Sequence, residues 1–179
     1  MFGAANKFNQ NINTKIVDNG STQYTAWDTS QVQNMGFMFN QANEFNQPIG
    51  NWNTSLVTSM NKMFSDCHEF NQNINTKTVS ISGTPYLAWD TSQVQNMGLM
   101  FNEAHKFNEP IGNWNTSRVT TMMGMFQVAR KFNQPINTQS VNNGGIEYTA
   151  WDTIKVRDMS YMFNHAHEFN QPIGNWNII

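Results

Sequence analysis

The chain is poor in the features that most often betray function. One cysteine in 179 residues cannot form an internal disulfide, so no disulfide framework holds this fold. Charged residues make up 12% of the chain, against a usual quarter or so. The net charge is -2 and the pI about 6.0, which argues against a nucleic-acid footprint or a basic membrane patch. No apolar run approaches the roughly 20 residues of a membrane span. The opening residues, MFGAANKFNQ, lack the basic start and apolar stretch of a secretion signal. No phosphate-cradling glycine loop is present, and no acid, base and nucleophile set converges. An enzyme is therefore not expected, nor is a cofactor or a metal. What is present is uncharged polarity from Asn, Gln, Ser and Thr, together with 13% aromatic residues, too many for a disordered chain.

Those residues recur. Met-Phe appears at Met1, Met38, Met63, Met100, Met125 and Met162, with spacings of 37, 25, 37, 25 and 37. Trp27, Trp52, Trp89, Trp114, Trp151 and Trp176 follow the complementary alternation. Phe-Asn trails each Met-Phe at a fixed interval, from Phe8-Asn9 to Phe169-Asn170. The unit reads M-F-x-x-A-x-x-F-N-x-x-I, then a variable stretch, then W-[ND]-T-S-x-V-x-x-M, and the full period is 62 residues. A unit of 25 residues cannot bury its own apolar face, so neighbours must stack. Stacking puts like residues in ladders. Phe, Trp, Met, Val and Ile form the core, and Asn9 with its equivalents forms an Asn ladder that satisfies backbone groups at a corner. Phe39, Ala42 and Phe45, three apart, predict a turn or two of 3₁₀ or α-helix. Pro48–Trp52 and Ser55–Met60 read as short extended pieces. The expected fold over residues 1–179 is one mainly β, leucine-rich-repeat-like solenoid of six coils with short helical turns.

Twelve extra residues in alternate units fall between Ile and Trp, within Asn13–Trp27, Asn75–Trp89 and Asn137–Trp151. Each places Val, a glycine-containing centre and Tyr in order, which predicts a β-hairpin. Two strands need about 9.6 Å, the height of two coils at about 4.8 Å each. A hairpin on every second coil is thus expected to pair edge to edge with the next, making a six-stranded antiparallel side sheet. Both ends stop in register with the repeat and carry no polar cap. This predicts either a segment of a longer chain or head-to-tail stacking into a fibre.

The stretch F-N-Q-P-I-G-N-W-N-T-S-x-V-T-x-M (Phe45–Met60), with M-F-x-x-A-x-x-F before it, resembles the bacterial surface repeat of about 25 residues known as the BspA-like or DUF285 family. The resemblance covers essentially the whole chain. It implies a leucine-rich-repeat-like solenoid exposed outside the cell or on its surface, with an adhesive or otherwise non-catalytic role and no catalytic residues to carry over. The expected function is a structural scaffold or adhesive rod, self-associating into a filament. The alternative is a module that recognises a host protein or glycan through hairpin tips or an exposed sheet face.

Candidate contact residues share one column, Gln33, Thr58, Gln95, Thr120 and Arg157. Cys67 stands where the other units have Ala5, Ala42, Ala104, Ala129 and Ala166, so it reads as an inert core thiol. His68, His105 and His167 share a column with Asn6, Asn43 and Arg130. His68 and His105 fall on adjacent coils, near enough to share a metal, yet the column reads as an exposed polar one. Asp28, Asp90 and Asp152 lie two coils apart, too far for a catalytic pair, and read as turn caps. Thr29, Thr54, Thr91, Thr116 and Thr153 read as capping hydroxyls. Asn19 in Asn19-Gly20-Ser21 is the glycan acceptor best placed for access.

Overall fold

The computed structural model describes residues 1–81 and 83–178; Ser82 and Ile179 lie outside the described residues. Regular structure is β throughout, and no helix occurs among the described residues. Six strands are formed: β1 Lys15–Asp18, β2 Gln23–Ala26, β3 Lys77–Ile81, β4 Thr84–Ala88, β5 Gln139–Asn143 and β6 Ile146–Ala150. They lie inside the three insertions, one antiparallel hairpin in each. Across each hairpin the predicted Val faces the predicted Tyr: Val17 and Tyr24, Val79 and Tyr86, Val141 and Tyr148. A threonine closes each base, its Oγ1 donating to the carbonyl of the unit's Trp: Thr14 to Trp27, Thr76 to Trp89 and Thr138 to Trp151.

Successive units are joined by like residues at like places. Phe2, Phe39, Phe64, Phe101, Phe126 and Phe163 stack at centroid distances of 5.5–5.7 Å. Phe45, Phe70, Phe107 and Phe132 make a second file, and Trp52, Trp89, Trp114 and Trp151 a third, the Trp neighbours 6.3–6.5 Å apart. All of these rings but the outermost, Phe2 and Phe163, are fully buried. Each indole also donates to the unit before it, Trp52 Nε1 to Ile12 O at 3.0 Å and Trp114 Nε1 to Ile74 O at 3.0 Å, so its one polar atom is satisfied inside the core. The expected Asn ladder is present. Asn9 Oδ1 accepts from Asn46 N at 3.0 Å, Asn46 Oδ1 from Asn71 N at 2.9 Å and Asn71 Oδ1 from Asn108 N at 2.8 Å, and it runs on to Asn170. Buried threonines bridge in the same way, Thr54 Oγ1 donating to Asp90 O at 2.7 Å and Thr116 Oγ1 to Asp152 O at 2.7 Å.

Three expectations need correction. The Met-Phe segments are not helical turns. Phe39, Ala42 and Phe45 are three apart because Ala42 N bonds Phe39 O and Phe45 N bonds Ala42 O, in separate turns. Phe37 and Gln41, with φ of 59° and 64°, interrupt any helix. The intervening N–H groups point to the next unit: Met35 to Ser59 O, Phe37 to Asn61 O, Phe39 to Met63 O and Gln41 to Ser65 O. A helix would turn those donors along its own axis and leave the seam unbonded. Secondly, Pro48–Trp52 and Ser55–Met60 are not strands. Among the described residues, only single parallel bridges run through this side, Asn34 to Ser59 to Asn96 to Thr121 to Asp158.

Thirdly, no six-stranded side sheet forms among the described residues; the three hairpins are separate two-stranded sheets. The second and third hairpins each turn a face onto the short unit before them. Tyr86 donates its hydroxyl proton to Asn51 O, and Tyr148 donates to Asn113 O. Consecutive hairpins then meet tip over base: Asn143 Nδ2 donates to Thr76 O at 3.1 Å, at the foot of β3. Gly144, with φ +61°, comes so close to Thr78 that a methyl group there would sit 2.7 Å from its hydroxyl oxygen. The two-unit spacing of the hairpins is as expected, but their edges do not pair among the described residues.

Candidate functional site

The column of candidate contacts is assembled and exposed. Gln33, Thr58, Gln95, Thr120 and Arg157 are all on the surface. Their backbones form one bonded line, Thr58 N to Gln33 O, Gln95 N to Thr58 O, Thr120 N to Gln95 O and Arg157 N to Thr120 O, each at 2.8–2.9 Å. Thr58 and Thr120 add a hydroxyl bond to the same carbonyls at 3.1 Å. The line runs beside the single parallel bridges from Asn34 to Asp158.

A second feature was not anticipated. A cleft of about 280 Å³ lies between the first two hairpins, lined among others by Asp28, Ser30, Asn53 and Tyr86. A second cleft, of about 190 Å³, lies between the next two and is lined by Asp90, Ser92, Asn115 and Tyr148. Each residue of the second set is 62 positions after its counterpart in the first, one full period. Asp28 Oδ1 and Asp90 Oδ1 accept from Ser30 N and Ser92 N at 2.9 Å, the cap role expected of them. Burial pushes both phenols above the ordinary tyrosine value, and the Asp28 charge beside Tyr86 and the Asp90 charge beside Tyr148 add to it. These clefts present a phenol ring, a carboxylate and hydroxyl groups, a lining that can hold a hydroxyl-bearing ligand. The recurring Tyr was legible as a hairpin mark; the fold of the second and third hairpins onto the preceding units, which makes the clefts, was not.

Of the remaining candidates, only Cys67 lies in the interior. Cys67 is fully buried, its Sγ 3.1 Å from Ala42 O, and burial drives its thiol far above the usual value. A thiol held neutral in this way is a poor nucleophile. His68 and His105 do come together, their rings stacked at 4.5 Å with 13° between planes. They are half-buried rather than an exposed column, stacked ring on ring between adjacent units. His165 and His167 stand apart near the far end, their own rings 5.8 Å from each other. Asn19 is exposed in the first hairpin tip, where its Oδ1 accepts from Ser21 N and Thr22 N. No helix among the described residues is long and apolar enough to cross a membrane.

Residues 1–84 and 77–179 match the family model described as Mycoplasma protein of unknown function, DUF285. Comparison with curated proteins returned no match, nor did comparison with solved structures.

Proposed function

We propose that this chain, which belongs to the DUF285 family, is a non-catalytic repeat segment, a leucine-rich-repeat-like solenoid that serves outside the cell or on its surface as a scaffold or adhesive rod. The observation that carries this reading is the uniformity of the seams. Each unit offers the next the same N–H donors, carbonyl acceptors, Asn bridge and aromatic faces. A further copy docked in register would continue those bonds, so the scaffold extends into a filament by contacts already used inside the chain. The chemistry available supports a non-catalytic role. Cys67 is buried, and Asp28, Asp90 and Asp152 are each engaged in their own turn.

A second reading is recognition of a host protein or glycan by the hairpin side. It draws on Tyr24 and Ile146, 52% and 53% exposed on their hairpins, and on the two Asp–Tyr clefts. Light scattering with negative-stain electron microscopy separates the two. The scaffold reading expects mass that grows with concentration and rods that lengthen along the stacking axis. A single 20.5 kDa species at every concentration would remove the filament and leave recognition as the working function.

A further inference from the structure

We infer that His68, His105 and Glu103 form a binding site for a divalent transition-metal ion, of the class imidazole favours, such as Ni²⁺ or Zn²⁺. The inference does not rest on the scaffold reading. A ring nitrogen of each histidine and a carboxylate oxygen of Glu103 all lie within 4.8 Å of one another. Both Nε2 atoms are buried and have no hydrogen-bond partner. Leaving a buried polar atom unpaired is unfavourable, and here two such atoms sit in one stack. One ion would serve both.

The surroundings suit a cation. Asp66 and Glu103 bring negative charge to this seam, against which Arg130 stands on the next unit. Asn43 Nδ2 lies 3.2 Å from His68 Nδ1 and orients that ring. Ligation through Nε2 leaves the proton on Nδ1, and the Asn43 amide, turned over, presents its oxygen to accept it. An ion about 2.1 Å from each ligand needs the three ligand atoms to close to about 3–3.5 Å. Stacked rings do not aim their in-plane lone pairs at one point, so binding opens the stack by rotation about Cβ–Cγ while Glu103 swings in. Three protein ligands leave the remaining positions to water.

The repeat supplies its own controls. Asn6 and Asn43 occupy the histidine column, and Gln41 occupies the Glu103 column. The variants His68→Asn, His105→Asn and Glu103→Gln therefore place side chains that the neighbouring units already accommodate. The experiment is calorimetric titration of the full chain with NiCl₂ and with ZnCl₂, with circular dichroism to confirm folding and nitrogen NMR of the imidazoles to see which atom is ligated. The expected result is one saturable site whose affinity falls about tenfold or more in His68→Asn and in His105→Asn, less in Glu103→Gln, and not at all in His167→Asn. The wild-type Nε2 resonances of His68 and His105 should shift on loading. No saturable binding by the wild-type chain would overturn the site. Binding untouched by His68→Asn and His105→Asn, or abolished by His167→Asn, would also do so.

Discussion

At the scale of single residues, the fold accepts local strain to keep its seams bonded. One column, Ala4, Gln41, Asp66, Glu103, Val128 and His165, sits at φ between 57° and 64° in every unit although none of these residues is glycine. The left-handed region costs an ordinary residue roughly 1–2 kcal/mol. Wherever a unit follows, this conformation aims the N–H at it: Gln41 N to Ser65 O, Asp66 N to Asn102 O, Glu103 N to Gln127 O and Val128 N to Asn164 O, all at 2.8 Å. Val128 is the worst suited, because a β-branched side chain crowds its own backbone in this conformation. Asn tolerates the region, so Val128→Asn is expected to stabilise the chain by about 1 kcal/mol, read as a rise in the urea midpoint at unchanged slope. A fall in the midpoint would show that the packing of the half-buried valine outweighs the strain. Single buried rings carry more: Trp114→Ala belongs to the class of core truncations that cost about 3–5 kcal/mol.

The element that decides the shape of the outer side is the hairpin, and its anchor is a tyrosine. Tyr148 donates to Asn113 O and accepts from Asn143 Nδ2 at 3.0 Å, tying one hairpin both to the short unit beneath and to its own tip. Tyr86 repeats the first of these bonds. Both phenols are pushed above the ordinary value by burial, then by the adjacent aspartate. A group whose folded pKa is raised keeps its protonated form preferentially in the folded state. Its stabilisation is whole below the unfolded value, about pH 10, and is lost as pH rises through the folded value. The pair Tyr86→Phe and Tyr148→Phe should lower stability by about 1 kcal/mol per site at neutral pH and flatten the alkaline loss. Urea midpoints measured from neutral pH to above 10 test this, and an equal alkaline slope in the Phe variant would sink the anchor. How far these elements could be read in advance follows from the range of the interactions. Periodicity located the ladders of Phe39, Trp52 and Asn46 and the strands flanking Gly83 and Gly144, because each depends on residues close in sequence or at a fixed offset. The three-residue spacing of Phe39, Ala42 and Phe45 was real but ambiguous, since a chain of separate turns and a 3₁₀ coil share it. The seating of the second hairpin on the short unit before it, and with it the Asp28–Tyr86 cleft, depends on a contact between Tyr86 and Asn51 that no local pattern encodes. The half-burial of the His68–His105 stack likewise depends on how adjacent units pack, which the column alone does not specify.

At the scale of the whole molecule, stability is distributed along the stack and owes little to charge. The ion pairs, Lys106–Glu69 and Lys131–Glu168, have side chains 44–60% exposed, and exposed pairs contribute about 0–1 kcal/mol. Aromatic files and bonded seams carry the rest, and these are nearest-neighbour terms. The neighbour relation, however, has two ranges. Core seams join each unit to the next, whereas the hairpins reach two units back, as Asn143 to Thr76 shows at 3.1 Å. Length changes of different size should therefore have different consequences. Duplicating residues 63–124, one period of 62, adds a long and a short unit and leaves each hairpin, after the first, two units from the one before it. Duplicating only residues 100–124, a unit of 25, adds a good core seam but moves β5 and β6 one unit too far from Thr76 and Thr78. The first variant should raise both the unfolding free energy and the denaturant slope, as added repeats do in nearest-neighbour arrays. The second should gain less stability than its added core predicts, and hydrogen exchange should localise the deficit to β5 and β6. If the two insertions stabilised in proportion to their length, with β5 and β6 equally protected, the alternation of long and short units would have no energetic basis in the hairpins.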